Sequence, residues 1–541
     1  MALLVNHLNR SFILNGIFST KGCRIHLILT KENISWEVEN EPKSQTVIPL
    51  GRLVSVTPCD CSGFRQPKPS QCSYCRHQPN NITNSGSGLL STHAKSMKLH
   101  FAVPFGRHMW KLESQIFRPL ESTRLKDWID SIQDSLSELN RPKSLLIFIN
   151  PYGGKKKGVK IFERKVSPLF HLAGIESHVV VTQRANHAKE MIEDIDIHKF
   201  DGIICVGGDG MFSEILNSVV LKTQKDKGID VNDIYNNLMV PRIPLGIIPA
   251  GSTNAAVNCI TGSCDPISAT LLIVMGDYTG VDICGVYSAG RFLRFAVTFL
   301  SYGYFGDVIR DSEKLRWMGP KRYDFSGLKK ILCRKLYEGE LQLEVDLPTN
   351  HSVWLKERCC VNCETCSKAT ELPNEEVRSP TKKIKWLSVR GSFIAINAAV
   401  LSCACYKSTK GISPSQHLGN GYCDVIIVSS CSRFNYLRYL LRTSYHHKSP
   451  FDLNFVQAYR VREFRFNPLI TDDKTPAAGC AGLEGNWQEL STSVWNCDGE
   501  VVNEPSVTAR VHCQLINVFG RGFEDRKEQS LLTNCFKFLR K

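Results

Sequence analysis

No run of eighteen apolar residues occurs in the 541-residue chain, so a single membrane-crossing helix is not expected. The opening MALLVNHLNRSF is apolar only as far as Val5, too short for the hydrophobic segment of a secretory signal. Position 2 is alanine, not the glycine that N-myristoylation needs. A Walker A loop is absent, and no G-x-G-x-x-G pattern follows a strand-like run, so the two commonest nucleotide-binding signatures do not apply. No internal repeat is visible. Without an export signal, the 22 cysteines do not read as a disulfide framework; most are expected as reduced thiols in the cytoplasm.

What is present is a composition of ordinary soluble type, 42% hydrophobic and 22% charged, long enough for two or three domains. The formal net charge is +15. A basic balance suits polyanionic partners, but the lysines and arginines are spread along the chain. That distribution favours membrane or phosphate contact and argues against nucleic acid.

Residues 1–140 form the first expected domain. Short alternating runs recur there: IHLILT (Ile25–Thr30), ISWEV (Ile34–Val38), TVIPL (Thr46–Leu50) and MKLHFAV (Met97–Val103). A helix follows over Ser122–Leu139, capped by Ser122 or Thr123, with Leu125, Trp128, Ile129, Ile132 and Leu136 on one face. Asp60–Gly88 reads as a polar insert between strands. Several strands and one helix with a buried tryptophan resemble a pleckstrin-homology domain. Residues 141–277 change rhythm. Apolar strands at Ser144–Pro151, His178–Gln183, Asp201–Val206 and Ile243–Gly251 alternate with helices near Val159–Leu172, His187–Ile195 and Met211–Val220. This alternation predicts a doubly wound parallel sheet. Residues 278–541 are rich in strand-like pieces and predict a β-rich lobe. The fold class is therefore α/β plus β.

Four turns fall at the carboxyl ends of the predicted parallel strands, where ligands of such sheets bind: NPYGGKKKG (Asn150–Gly158), TQRAN (Thr182–Asn186), GGDG (Gly207–Gly210) and PAGST (Pro249–Thr253). Glycine lets backbone amides approach a phosphate, and the helix after each turn points its positive end the same way. Any one turn is unremarkable; four in this order point to a nucleotide site.

NPYGG, TQRAN, VGGDGMFSE and PAGST, in that order, resemble the diacylglycerol-kinase catalytic domain family, which includes sphingosine and ceramide kinases. The similarity runs from about Leu145 to the C-terminus. It is narrowest towards the ceramide kinases, through SEKLRWMGPKRYDFSGLK (Ser312–Lys329), CVNCETC (Cys360–Cys366), SCACYKSTKGISP (Ser402–Pro414) and SVWNCDGEVV (Ser493–Val502). The resemblance implies a lipid kinase that uses ATP and Mg2+ to phosphorylate the primary hydroxyl of ceramide. A sphingosine or diacylglycerol kinase and a catalytically silent lipid-binding adaptor are the alternatives. It also implies roles. Asp209 is the catalytic base, with Gly207, Gly208 and Gly210 around it at the substrate. Asn150, Pro151, Tyr152, Gly153 and Gly154 contact ATP, as do Thr182, Gln183, Arg184, Ala185 and Asn186. Glu214, Gly251, Ser252, Thr253, Asp498, Gly499 and Glu500 complete the nucleotide set, with Asp209 or Asp498 at the magnesium. Arg316 and Arg322 match phosphate-binding arginines, or else form a solvated basic face. Lys155, Lys156 and Lys157 meet phosphate or membrane, or form a solvated loop. Three departures stand out: Asn254 and Asn420 where relatives have aspartate, and Ile309 where sphingosine kinases have a carboxylate.

Cys359, Cys363 and Cys366 form a C-x3-C-x2-C cluster with metal-like spacing, which Cys403 or Cys405 could complete for zinc; redox sensitivity is the competing reading. Cys59, Cys61, Cys72 and Cys75 have similar spacing and read as a surface loop. The basic amphipathic stretch Cys431–Lys448, with Phe434, Leu437, Leu440 and Leu441 on one side, fits a membrane surface, a Ca2+–calmodulin target or an ordinary packed helix. The resemblance places the protein peripherally on Golgi and plasma membranes, with phosphoinositide or another anionic lipid bound by the N-terminal module.

Overall fold

A computed structural model describes residues 12–39, 41–59, 94–120, 123–319, 321–345, 359–371, 385–445, 447–469 and 492–522. The chain divides into two units. One holds the described residues up to Phe105 and Trp110–Arg141; the other holds Gly106–Met109 and the residues from Pro142 onward.

In the first unit, alternation builds an antiparallel sheet. CRIHLILT buries Ile25, Leu27 and Leu29 and turns the residues between them outward. The strands are β1 (Phe12–Thr20), β2 (Cys23–Thr30), β3 (Asn33–Val38), β4 (Glu41–Pro49), β5 (Leu53–Cys59), β6 (Ser96–Pro104) and β7 (Trp110–Pro119), in the order β4-β3-β2-β1-β7-β6-β5. Helix α1 (Leu125–Ser137) buries Trp128, Ile129 and Ile132 against them. Trp128 meets Phe18 edge-on at 5.1 Å, and Gly16 makes room: a Cβ there would stand 3.2 Å from the indole. The helix starts later than the sequence suggests. Arg124 is its N-cap and no side chain caps it; Ser122 lies outside the described residues, as does the insert 60–88 with Cys61, Cys72 and Cys75. At the expected domain boundary Arg141 acts as a clamp, donating to the carbonyls of Leu50, Gly51 and Leu53 at 3.0, 2.9 and 2.6 Å.

The second unit begins with the parallel strands β8 (Ser144–Ile149), β9 (Glu176–Val181), β10 (Gly202–Gly207) and β11 (Leu245–Pro249), ordered β11-β10-β8-β9. Between and after them come α2 (Gly158–Ile161), α3 (Ser167–Leu172), α4 (His187–Asp194), α5 (Asp209–Asp226), α6 (Ala255–Thr261) and α7 (Pro266–Met275). Alternate strand residues serve opposite faces. Leu146, Phe148, Ile203, Cys205, Leu245 and Ile247 join one core with α4, α5 and α6. On the other face Gly246 leaves room for Ile273 of α7, which a Cβ there would meet at 3.2 Å, and α3 packs on α7. Burial on both faces is why β8, β10 and β11 are nearly continuous apolar runs. The helix expected over Val159–Leu172 is interrupted by a π-helical turn at Phe162–Val166. Pro168 lacks an N–H to donate and so sits in the first turn of a new segment, α3.

The later strands do not form a sheet of their own. They are β12 (Tyr278–Ser288), β13 (Arg291–Ala296), β14 (Phe299–Gly303), β15 (Tyr337–Val345), β16 (Lys385–Ala399), β17 (Cys423–Ser429), β18 (Val456–Pro468), β19 (Trp495–Cys497), β20 (Glu500–Val502) and β21 (Val507–Phe519). Strand β21 pairs parallel with β11 and antiparallel with β12 and β18, so hydrogen bonding runs unbroken from the parallel region into the antiparallel one. Helices α8 (Tyr304–Glu313), α9 (Lys321–Cys333), α10 (Glu364–Glu371) and α11 (Arg433–Tyr445) decorate this part. Among the described residues no single helix is long and apolar enough to cross a membrane.

Candidate active site

Strand register brings the turns together. Ile149 pairs with Val206 and with Val181, and Gly207 with Pro249, so the four strands end side by side. Main-chain bonds continue past the ends: Asn150 N to Val206 O at 3.0 Å, Thr182 N to Ile149 O at 2.9 Å and Ala250 N to Gly207 O at 2.8 Å. Three turns then touch backbone to backbone. A Cβ on Gly251 would lie 2.4 Å from the Gly208 Cα, and one on Gly154 would lie 2.7 Å from the Ala250 carbonyl oxygen. Gly154 also has φ +55°. No side chain fits at these contacts. Asn150 closes its turn by accepting from the amides of Tyr152 and Gly153, both at 2.9 Å. Asn254 closes the PAGST turn with both ends of its amide, accepting from Gly251 N and donating to Gly251 O. A carboxylate could make only the first of these bonds, so the departure at 254 has a local structural use. Ser252 and Thr253 are exposed beside it.

Helix α5 carries two carboxylates that anchor its neighbours. Helices α4 and α6 each begin after an asparagine in the left-handed region, Asn186 (φ 61°) and Asn254 (φ 55°), and neither asparagine caps its helix with its side chain. The unpaired amides find partners on α5. Asp209 Oδ1 accepts from Ala256 N at 2.9 Å; Glu214 Oε1 accepts from Ala188 N at 3.0 Å and Lys189 N at 3.2 Å. Glu214, expected at the nucleotide, is thus held by a helix N-terminus. Burial raises the affinity of Asp209 for a proton. Amide hydrogen bonds from Ala256 and Ala255 oppose that rise, and the charge of Asp498 adds to it.

The DGE segment returns to this corner. Asp498, at φ 53°, accepts from Val297 N on one oxygen and from Thr298 N, Thr298 Oγ1 and Phe299 N on the other. Gly499 has φ 93°. Glu500 pairs with Arg294 at 2.5 Å, and Arg294 also donates to Ser213 Oγ of α5 at 3.1 Å. Asn217 ties α5 to β13 by exchanging hydrogen bonds with the Phe295 backbone. Sequence reading missed Arg294, which belongs to no motif; its only signal is a charge inside the apolar strand RFLRFA.

Other expected residues have different partners. Thr182 is buried and bonds Ile149 O. Gln183, Arg184, Ala185 and Asn186 are exposed, and Arg184 forms a two-pronged pair with Glu190. Arg322 is engaged by Glu313 at 3.3 Å and by Tyr323; the side chain of Arg316 lies outside the described residues. Asn420 accepts from Tyr422 N in a turn. Cys359, Cys363 and Cys366 do converge, but their fourth neighbour is His417. Neither Cys403 nor Cys405 joins them: the Cys403 thiol faces the carbonyls of Thr298 and Leu401, and Cys405 closes a small turn with Ser408. Helix α11 turns Tyr436 and Tyr439 into the core and leaves Phe434, Leu437 and Leu441 exposed; Leu440, expected with the latter, is partly buried.

The diacylglycerol kinase catalytic domain family matches residues 144–286, and the ceramide kinase C-terminal domain family matches residues 299–536. Ceramide kinase of Homo sapiens is 38% identical over 501 residues, covering 88% of this chain and 89% of that protein. Ceramide kinase of Mus musculus is 40% identical over 439 residues, covering 77% and 82%. A solved structure of a diacylglycerol kinase from Bacillus anthracis str. Sterne is 14% identical, with a TM-score of 0.44, and covers 70% of this chain and 97% of its own.

The glycine contacts generate a test. Gly251→Ala places its methyl against the Gly208 main chain, which cannot yield without moving Asp209. The variant should fold and lose about a hundredfold or more in turnover, measured as initial rate beside a thermal melt. Activity within a factor of about two of wild type would mean that the turns need not touch.

Proposed function

The chain belongs to the ceramide kinase family, and from that premise we propose that it transfers the γ-phosphate of ATP to the primary hydroxyl of ceramide, with Asp209 as the proton acceptor. The observation that carries this reading is the placement of one anchored carboxylate where three glycine turns touch. The ceramide oxygen attacks the γ-phosphorus, the bond from phosphorus to the β,γ-bridging oxygen breaks, ADP leaves, and Asp209 takes the hydroxyl proton. Catalysis of this kind is mainly positioning and charge neutralisation. Fixing Oδ1 to the α6 N-terminus sets the direction of the carboxylate, and burial makes it a better base. Backbone amides of Gly154, of residues 208–210 and of Ser252 and Thr253 receive the phosphates, since those of Gly153 and Gly251 are held by Asn150 and Asn254.

The residues also fit magnesium. Asp498 Oδ2 accepts a single hydrogen bond, which leaves a lone pair, and its charge is near enough to be felt by Asp209. That oxygen of Asp498 would suit an ion that keeps water and phosphate among its ligands, leaving Asp209 to take the proton. When bound, magnesium neutralises charge on the β- and γ-phosphates.

The substrate resides in a bilayer. On α9, Phe325, Leu328 and Leu332 are exposed at helical spacing; on the neighbouring α11, Phe434 (85% exposed), Leu437 and Leu441 are exposed among Arg433, Arg438 and Arg442. An apolar stripe rimmed by arginines suits an anionic membrane surface. Calmodulin would have to enclose α11, whose Tyr436 and Tyr439 are core residues, so the flat surface is the preferred partner. Seven antiparallel strands and one helix support reading the N-terminal unit as a pleckstrin-homology-like module, which would add a second contact to anionic headgroups such as phosphoinositides.

Two experiments follow. Asp209→Asn keeps an oxygen for Ala256 and should lower kcat by about 10²–10⁴ on a panel of ceramide, sphingosine and diacylglycerol assayed with labelled ATP. A carboxyl group whose folded pKa is raised favours the fold at low pH and loses that contribution as pH rises through it, so the amide should melt no lower at neutral pH. For the same reason the acid limb of wild-type kcat/KM should lie above the ordinary aspartate range and vanish in the variant. Preferred labelling of diacylglycerol overturns the ceramide reading; equal inactivity of wild type and variant on every lipid favours the adaptor. Separately, Leu328→Glu with Leu332→Glu should weaken sedimentation with anionic vesicles about tenfold while leaving activity on detergent-dispersed substrate intact. Unchanged vesicle binding would remove these helices from the membrane contact.

A further inference from the structure

The cysteine cluster lies apart from the phosphate chemistry. Cys359 precedes α10, Cys363 stands at its start and Cys366 lies in its first turn, while His417 comes from the loop between β16 and β17. Cys359, Cys363 and His417 are buried, the last only 1% exposed. All four ligand atoms fall within 4.8 Å of one another. A tetrahedral zinc ion with Zn–S of about 2.3 Å and Zn–N of about 2.05 Å sets sulfur–sulfur edges near 3.8 Å and sulfur–nitrogen edges near 3.6 Å. The Sγ atoms of Cys359 and Cys366 are 3.8 Å apart, and His417 Nδ1 stands 3.2 Å from Cys363 Sγ and 4.0 Å from Cys366 Sγ. These separations are far beyond a disulfide bond, and all three thiols are free.

The imidazole supplies an independent sign. Its Nε2 is buried without a hydrogen-bond partner, so the ring is turned towards the sulfurs at the expense of its other nitrogen. Thiols are weak hydrogen-bonding groups, poor compensation for burying a histidine in this way, whereas a metal bond to Nδ1 would outweigh the orphaned nitrogen. The two arms of the cluster are also braced from outside. Gln514 of β21 donates to Cys366 O at 2.9 Å and Gly419 O at 2.8 Å, and the buried Asp282 accepts from Gly421 N and Gln514 N.

We propose that Cys359, Cys363, Cys366 and His417 are the four protein ligands of one zinc ion, a closed structural centre fastening residues 359–371 to the loop before β17. Three thiolates and an imidazole in tetrahedral array select zinc over harder ions, and four protein ligands leave no position for a reacting water. The loop so fastened reaches the active site. Its earlier part packs on α6, where Ser402 Oγ meets Cys259 Sγ at 3.4 Å, and α6 is the helix whose N-terminus Asp209 accepts. Zinc therefore holds the far side of the element that orients the base, and this role stands whichever lipid is the acceptor.

The test is metal analysis of the full-length protein purified without chelators, with cobalt substitution as a spectroscopic readout. Wild type should carry about one zinc per chain, and the cobalt form should show tetrahedral d–d bands with thiolate charge transfer. His417→Ala should fall below about a fifth of that content. His417→Cys should retain the metal with a four-thiolate cobalt spectrum, and it decides the matter if the alanine variant does not fold. A wild-type protein that is active, free of zinc and unable to take up tetrahedral cobalt overturns the proposal. So does full zinc content in His417→Ala, or a His417→Cys cobalt spectrum identical to that of wild type.

Discussion

Two side chains of α5 hold the catalytic corner together. The helices on either side, α4 and α6, both start from an asparagine in the left-handed region that offers no side-chain cap, and Glu214 and Asp209 accept their first amides instead. A carboxylate at a helix N-terminus interacts with unpaired donors and with the helix dipole, an effect of up to about 2 kcal/mol when partly buried. The helix that follows the GGDG turn is thereby locked to the helices that follow TQRAN and PAGST. The anchored position of Asp209 is a consequence of that lock, and so is the close approach of Gly208 to Gly251, which only unsubstituted glycines allow. The same carboxylate fixes the scaffold and, in the mechanism above, moves the proton.

The antiparallel half of the second unit serves this corner by reaching back into it. Strand β21 ends beside β11, and the Asp498 turn is bound by four donors from residues 297–299, including the Thr298 hydroxyl. Arg294 joins Ser213 on α5 to Glu500. A charge network of this kind couples the DGE segment to the GGDG helix directly, so the two motifs, nearly three hundred positions apart, meet in the fold.

The sequence was most legible where one local rule decided the structure. Apolar runs ending in glycine announced β8, β10 and β11 and their turns, because strands buried on both faces need no polar alternation. Helix α7 went unseen because it is buried all round and shows no amphipathic period. The start of α1 was misplaced because capping residues lay nearby but Arg124 took the position without using them. At the site, Asp209 was readable from its turn. Arg294 and His417 were not, since each acquires its meaning from partners distant in sequence: Ser213 and Glu500 for one, three cysteines for the other. Glu214 was singled out from its motif for the nucleotide, whereas its bonds to α4 depend on how two helices pack, which no motif encodes.

The account is tested most directly by a crystal structure of the full-length protein with magnesium and a non-hydrolysable ATP analogue. It predicts the terminal phosphate within hydrogen-bond reach of amides in the turns at 208–210 and 251–253, facing the Asp209 carboxyl group while that group still accepts from Ala256. Phosphates bound away from those turns, or an Asp209 carboxyl directed away from the terminal phosphate, would contradict it.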